Sequence, residues 1–305
     1  RSKLMTLPDS VIVYPSHGAG SACGKNMSKE TFDTLGHQKE VNYALRADMT
    51  KDEFVKEVLT GLIAPPAYFP KNVAMNKSIN TGIDDILKTG TIALDVDTFK
   101  AMASNEGAML IDTRHQTSFT KEHIPGSIFF GIDGGFAPWV GTLVSDINQP
   151  IIIVADQGRE EEVVTRLSRI GYDNSLGYLK GGITAWKEAG LETTSIISLQ
   201  PSEIVELVNA EKSNLVDIRK PSEFLSEHVV EAVNAPLDVI NDQMDDLSKD
   251  ITYHVHCAGG YRSVIYISIM KSRGYHNLID VAGGYGLIKN TEGFHLSEYV
   301  CPTTL

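Results

Sequence analysis

Two stretches of this chain repeat one pattern, and that repetition constrains the fold more than any other feature. Met109-Leu-Ile-Asp112-Thr-Arg114 recurs as Leu215-Val-Asp217-Ile-Arg219, with the aspartates and the arginines at one common offset. Phe119 and His123 recur at the same offset as Phe224 and His228. Farther along, Leu179-Lys-Gly181-Gly182 is matched by Val281-Ala-Gly283-Gly284. Apolar runs such as Ile151-Ile-Ile-Val-Ala155 and Ile251-Thr-Tyr-His-Val-His256 read as buried strands. At 305 residues the chain has room for two full domains and a partial one.

The copies differ at one position that decides chemistry. The second apolar run ends in Cys257, followed by Ala258-Gly259-Gly260-Tyr261-Arg262-Ser263 and a helix-like stretch, Val264–Lys271. A thiol therefore stands on a glycine-bearing turn at the mouth of a helix. Gly259 and Gly260 can take φ > 0 and turn backbone N–H groups toward one centre. The helix N-terminus adds partial positive charge and Arg262 a full one. All three favour thiolate, the nucleophilic form. The plain alternative is a buried structural cysteine; the agreement of strand, turn, arginine and helix favours the functional reading. In the first copy Asp156 stands where the thiol should be, and Glu161 occupies the arginine position.

The Cys257 loop resembles the active-site loop of rhodanese sulfurtransferases: Cys, four residues, Arg, then Ser or Thr. Further matches follow in family order. They are Asn214–Phe224, then Glu227-His228-Val229 with Ala232-Val-Asn234-Ala-Pro236, and Val281-Ala-Gly283-Gly284-Tyr285. The resemblance implies an α/β fold of two tandem domains, each a small, mostly parallel sheet wrapped by helices. The active loop would lie at the carboxyl end of a strand. It implies that Cys257 takes a sulfane sulfur, becomes a persulfide and passes the sulfur to a thiol acceptor or cyanide. Arg262 and the N–H groups of Ala258, Gly259, Gly260 and Tyr261 would hold donor and persulfide. Ser263 would cap the helix or touch the outer sulfur. With one Arg and no Lys, the loop argues mildly against doubly charged thiosulfate as preferred donor. Phosphatases of the same fold carry one more residue between Cys and Arg, so the spacing favours sulfur. A carboxylate cannot accept sulfane sulfur, so the first copy is expected to be catalytically silent, serving in packing, positioning and an interface. His123 and His228 are expected to make structural hydrogen bonds, and Asp112–Arg114 and Asp217–Arg219 internal ion pairs.

Residues 1–92 fit neither copy. Val11-Ile-Val-Tyr14 reads as a strand ending in Pro15-Ser-His17-Gly18, and Asn42-Tyr-Ala44-Leu45 as a helix. These resemble the C-terminal part of a metallo-β-lactamase-like αββα fold, in its glyoxalase II and persulfide dioxygenase branch. Pro65–Pro70 and Asn76–Asn80 resemble the connector in fusions of that fold with rhodanese domains. The fold's main metal motif, His-x-His-x-Asp-His, is not in this chain. The expectation is a piece of a longer polypeptide. Its parts would be a metallo-β-lactamase-like remnant at 1–64, a linker at 65–92, an inactive rhodanese-like domain at 93–195 and an active one at 196–305. The resemblance implies Fe(II) in the full-length protein and no cofactor or metal site within this chain. His17 alone cannot make a metal site. Cys23 would either relay sulfur near that metal or be an inert thiol.

Three cysteines, at 23, 257 and 301, supply no disulfide framework and suggest a reducing compartment, hence cytoplasm. A formal charge of −12 argues against nucleic acid and anionic membrane as partners. The expected partners are a small persulfide or thiosulfate donor and a thiol acceptor; self-association is left open. The whole-protein reading is a persulfide dioxygenase–sulfurtransferase for sulfide and persulfide detoxification, yielding sulfite or thiosulfate. A glyoxalase II-like hydrolase fused to rhodanese domains, and a persulfide-sensing module without turnover, stand as alternatives.

Overall fold

The computed structural model describes residues 2–16, 30–59, 68–78, 81–105, 107–210, 212–243 and 247–301. The chain falls into two compact units, residues 1–65 and 66–305. His17 and Cys23 lie outside the described residues.

In the first unit, β1 (Ile12–Val13) pairs antiparallel with β2 (Asp33–Thr34). Thr34 caps the helix Leu35–Val41, accepting the backbone N–H of His37. The Asn42-x-Ala-Leu stretch forms a single 3-10 turn, Tyr43–Leu45, rather than the expected α-helix. Asn42 caps it by accepting the Ala44 N–H at 3.1 Å, a local bond that competes with helix propagation. A helix Lys51–Leu59 follows, with Asp52 and Glu53 in the first turn, where the helix dipole favours them. Among the described residues of this unit only Leu35 is buried. Among these described residues, apolar burial contributes little.

The second unit holds both copies. In the first, β3 (Ala93–Leu94), β4 (Met109–Asp112), β5 (Ile128–Phe129), β6 (Ile151–Val154) and β7 (Ser175–Leu179) form a sheet ordered β3-β7-β6-β4-β5. In the second, β8 (Ser198–Leu199), β9 (Asn214–Asp217), β10 (Val233–Asn234), β11 (Tyr253–His256) and β12 (Leu278–Val281) repeat it as β8-β12-β11-β9-β10. Every pairing in both sheets is parallel. Parallel neighbours need crossover connections, which the interleaved helices supply. The central strands β6 and β11 are buried along their whole length, as a strand covered on both faces must be.

One apolar core runs through both copies, joining Phe129, Ile132 and Ile153 of the first to Val255, Ile265 and Tyr266 of the second. A smaller core covers the other face of each sheet. The helix Tyr261–Ser272 lies in the shared core, and every residue from Ser263 to Met270 is buried. An apolar helix surface on all sides suits an element with protein on all sides. Ser268 Oγ accepts the Phe129 backbone N–H at 3.0 Å from the first copy. The first copy therefore supports the helix that leads out of the Cys257 loop.

The repeated polar residues are structural. Asp112 and Asp217, fully buried, each accept bonds from the backbone N–H, Nε and Nη2 of Arg114 and Arg219. Each guanidinium also donates to a carbonyl, Glu122 O or Glu227 O, at 2.8 Å. His123 and His228 stack on Phe119 and Phe224, and each Nδ1 bonds the carbonyl of that phenylalanine. Burial pushes the His123 pKa down to about 4, so a neutral ring suits its place.

Candidate functional site

Cys257 follows β11 directly and is 1% exposed. Its Sγ accepts the Gly260 N–H at 3.1 Å. Gly260 sits at φ 88°, a left-handed conformation open to glycine, and begins the helix. The helix thus starts at Tyr261, three residues before the apolar run that marked it in the sequence. Ala258 and Gly259 are exposed and form the rim. A Cβ at Gly259 would meet nothing, so the loop is open to solvent there.

The Gly-Gly turn after β12 braces the loop from behind. Tyr285 N–H donates to Cys257 O at 2.6 Å and Gly286 N–H to Ala258 O at 2.9 Å. Gly284 has φ +56°, and a Cβ there would stand 2.4 Å from Cys257 O. Gly284→Ala is expected to destabilise the fold by about 1–3 kcal/mol and to displace the loop. A lowered urea midpoint together with slowed alkylation of Cys257 would register both effects.

Arg262 is ion-paired within the fold. Its two Nη groups donate to the two Glu223 oxygens at 2.7 and 2.8 Å. This bidentate pair occupies the guanidinium and offsets its charge, so the loop does not present an unpaired cation. Glu223 was missed as a site residue. It stands in the helix Pro221–Ser226 after β9, and no local pattern ties that helix to the loop.

Tyr261 sends its side chain toward the first copy. Its hydroxyl donates to Gly131 O in the first copy at 2.7 Å, and its ring meets Phe129 edge-on at 5.5 Å. Only its backbone N–H is left for the loop. Gly134 provides the space for that ring, since a Cβ there would stand 2.3 Å from it. Ser263 does not cap the helix, a position held by Gly260. It is fully buried, and Cys257 Sγ–H points to its Oγ at 3.7 Å. His256, adjacent in sequence, is not the base for the thiol: its ring stacks on Tyr285, with Nε2 3.8 Å from Asp217 Oδ2. Successive strand residues face opposite ways.

The first copy lacks this chemistry. Val154 pairs Asp112 as His256 pairs Asp217, so Ala155, not the expected Asp156, stands in the Cys257 position and Glu160, not Glu161, in that of Arg262; Asp156 is exposed. Arg159 is held by Asp133 and Glu162, and Arg166 pairs with Glu162 as well.

A thiol on a glycine turn at a helix mouth, in one half of a duplicated parallel α/β pair, defines a tandem α/β protein built around one cysteine loop. The chain belongs to the rhodanese-like domain family, which matches residues 95–189 and again 200–291. It is 30% identical over 78 residues to a sulfurtransferase of Allochromatium vinosum, covering 26% of this chain and 73% of that protein. It is 27% identical over 92 residues to an uncharacterized protein of Synechocystis sp., covering 30% of this chain and 51% of that one. The chain thus spans about half the length of that relative. Among solved structures, a metallo-beta-lactamase from Staphylococcus aureus is 25% identical with a TM-score of 0.44, covering 59% of this chain and 47% of that one.

Proposed function

We propose that this protein is a sulfurtransferase that carries sulfane sulfur on Cys257. The observation that carries this reading is the buried Sγ facing the Gly260 N–H on a turn whose rim is open to solvent. The Cys257 thiolate attacks the outer sulfur of a donor persulfide. A bond forms between Cys257 Sγ and that sulfur, the donor's S–S bond breaks, and the donor leaves as a thiolate. An acceptor thiolate then attacks the outer sulfur and releases Cys257 as thiolate. The Gly260 N–H stabilises negative charge at Sγ. Because Glu223 occupies Arg262, a small persulfide suits the loop better than doubly charged thiosulfate. Residues Ala258 and Gly259 form the entry.

In the whole polypeptide we place this module beside a persulfide dioxygenase, with residues 1–64 as part of a metallo-β-lactamase-like domain, in the cytoplasm. Such a partner domain would use Fe(II). The described residues include no group of three or more His, Cys, Asp or Glu able to hold a metal, so they do not fit an iron site. No step here runs through iron. No helix among the described residues is long and apolar enough to cross a membrane.

Mass spectrometry of the chain after exposure to a small-molecule persulfide, and separately to thiosulfate, tests the reading. We expect one added sulfur on the Cys257 peptide, removed by cyanide, with persulfide the better donor. No adduct from either donor would overturn it.

A further inference from the structure

We infer that Asp280 is a positioning residue for the nucleophile, receiving the Cys257 proton through the Ser263 hydroxyl. The inference rests on the sulfurtransferase reading and extends its site into the sheet. Asp280 is in the register partner position of Val255 on β12, so it lies on the sheet face that Val255 shares with Cys257. That face is covered by the helix that bears Ser263. Asp280 is 3% exposed. Its Oδ2 accepts the Ser198 hydroxyl at 2.7 Å. Its Oδ1 is buried with no hydrogen-bond partner. Burial raises its pKa, and the only groups that draw it back are the hydroxyls of Ser263 and Ser198. Arg262, paired with Glu223, acts on the thiol, and the Asp217 carboxylate acts on the same guanidinium.

A carboxylate buried with one oxygen unpaired is costly, and it shares its sheet face with a thiol whose anion has a waiting N–H donor. Moving one proton from Sγ to Ser263 Oγ, and the Ser263 proton to Asp280 Oδ1, leaves the net charge of the pair unchanged. It transfers the negative charge from an unpaired oxygen to a sulfur that faces Gly260 N–H and the helix N-terminus. Atoms and charge balance: thiol and carboxylate become thiolate and carboxylic acid.

The silent copy provides an internal comparison. By strand register, Tyr178 stands where Asp280 does, pairing Ala93 as Asp280 pairs Ser198. By the same register Ala155 replaces Cys257, and Glu161 replaces Ser263. The copy without the thiol also lacks the serine, the buried carboxylate and the serine that holds it.

The test is the rate of iodoacetamide alkylation of Cys257 against pH, read by peptide mass in the full chain. Asp280→Asn keeps the size of the side chain and removes a buried charge, so it is expected to fold. Relative to wild type, Asp280→Asn and Ser263→Ala should each slow alkylation at pH 7 by about tenfold and move the profile to higher pH, a tenfold change matching one unit of protonation. If Asp280 is only a nearby repelling charge, Asp280→Asn will instead speed alkylation and move the profile to lower pH, which overturns the inference. An unchanged profile in Asp280→Asn overturns it too. Alkylation does not need sulfur transfer, so absence of a sulfur adduct on wild-type Cys257 would fail the sulfurtransferase reading separately.

Discussion

Asp217→Ala is expected to lower the stability of the unit by about 3–5 kcal/mol, because it leaves the Arg219 cation buried without its counter-charge. Arg219 is 5% exposed, and its guanidinium lies 3.9 Å over the Tyr285 ring. Its remaining partner, the Glu227 carbonyl, carries no charge. Against a total stability of about 5–15 kcal/mol, that loss approaches unfolding. A urea denaturation midpoint measures it. Replacing Asp217 and Arg219 together with apolar residues should cost less than Asp217→Ala alone, since no unpaired charge is then buried. A double variant as unstable as the single would show that packing, not charge, sets the cost. Tyr285 also donates to Cys257 O, so the same change is expected to disturb the loop.

Cys257→Ser is expected to reduce sulfur transfer by about 10³-fold or more, as loss of a covalent nucleophile does. A serine hydroxyl keeps the shape of the site but stays un-ionised near neutral pH and cannot hold sulfane sulfur. Cyanide-dependent turnover with a persulfide donor reads the effect, and full activity in the variant would refute the assignment. Asp156→Cys is expected to restore nothing in the first copy. Asp156 is exposed and lies one residue past the register position of Cys257, and Glu160 stands where Arg262 does, so a thiol there would lack both the loop cation and the buried setting.

Much of the fold was legible because it is local and repeated. The duplicated Asp-x-Arg and Phe…His pairs indicated two copies, and the two sheets share one strand order. The roles of Asp112, Arg114, His123 and their second-copy partners were also readable, since each pair lies within a few residues. The Cys257 turn was readable from its glycines. The partners of that turn were not. Arg262 meets Glu223 across 39 residues and Tyr261 meets Gly131 across 130. Ser263 was assigned a cap or a contact with sulfur; Gly260 takes the cap because a left-handed glycine starts the helix one turn earlier than apolar periodicity suggests.

By itself, the sequence determined where strands, glycine turns and the thiol fall, because backbone preference and period-two burial act over a few residues. Tertiary structure alone decided which side chains meet. Glu223 occupies the loop arginine, Tyr261 turns into the first copy, and Asp280 comes to the sheet face shared with Val255 and Cys257. Those meetings depend on strand register and helix phase, where a shift of one residue sends a side chain to the other face. Only the packed core of both copies sets that register.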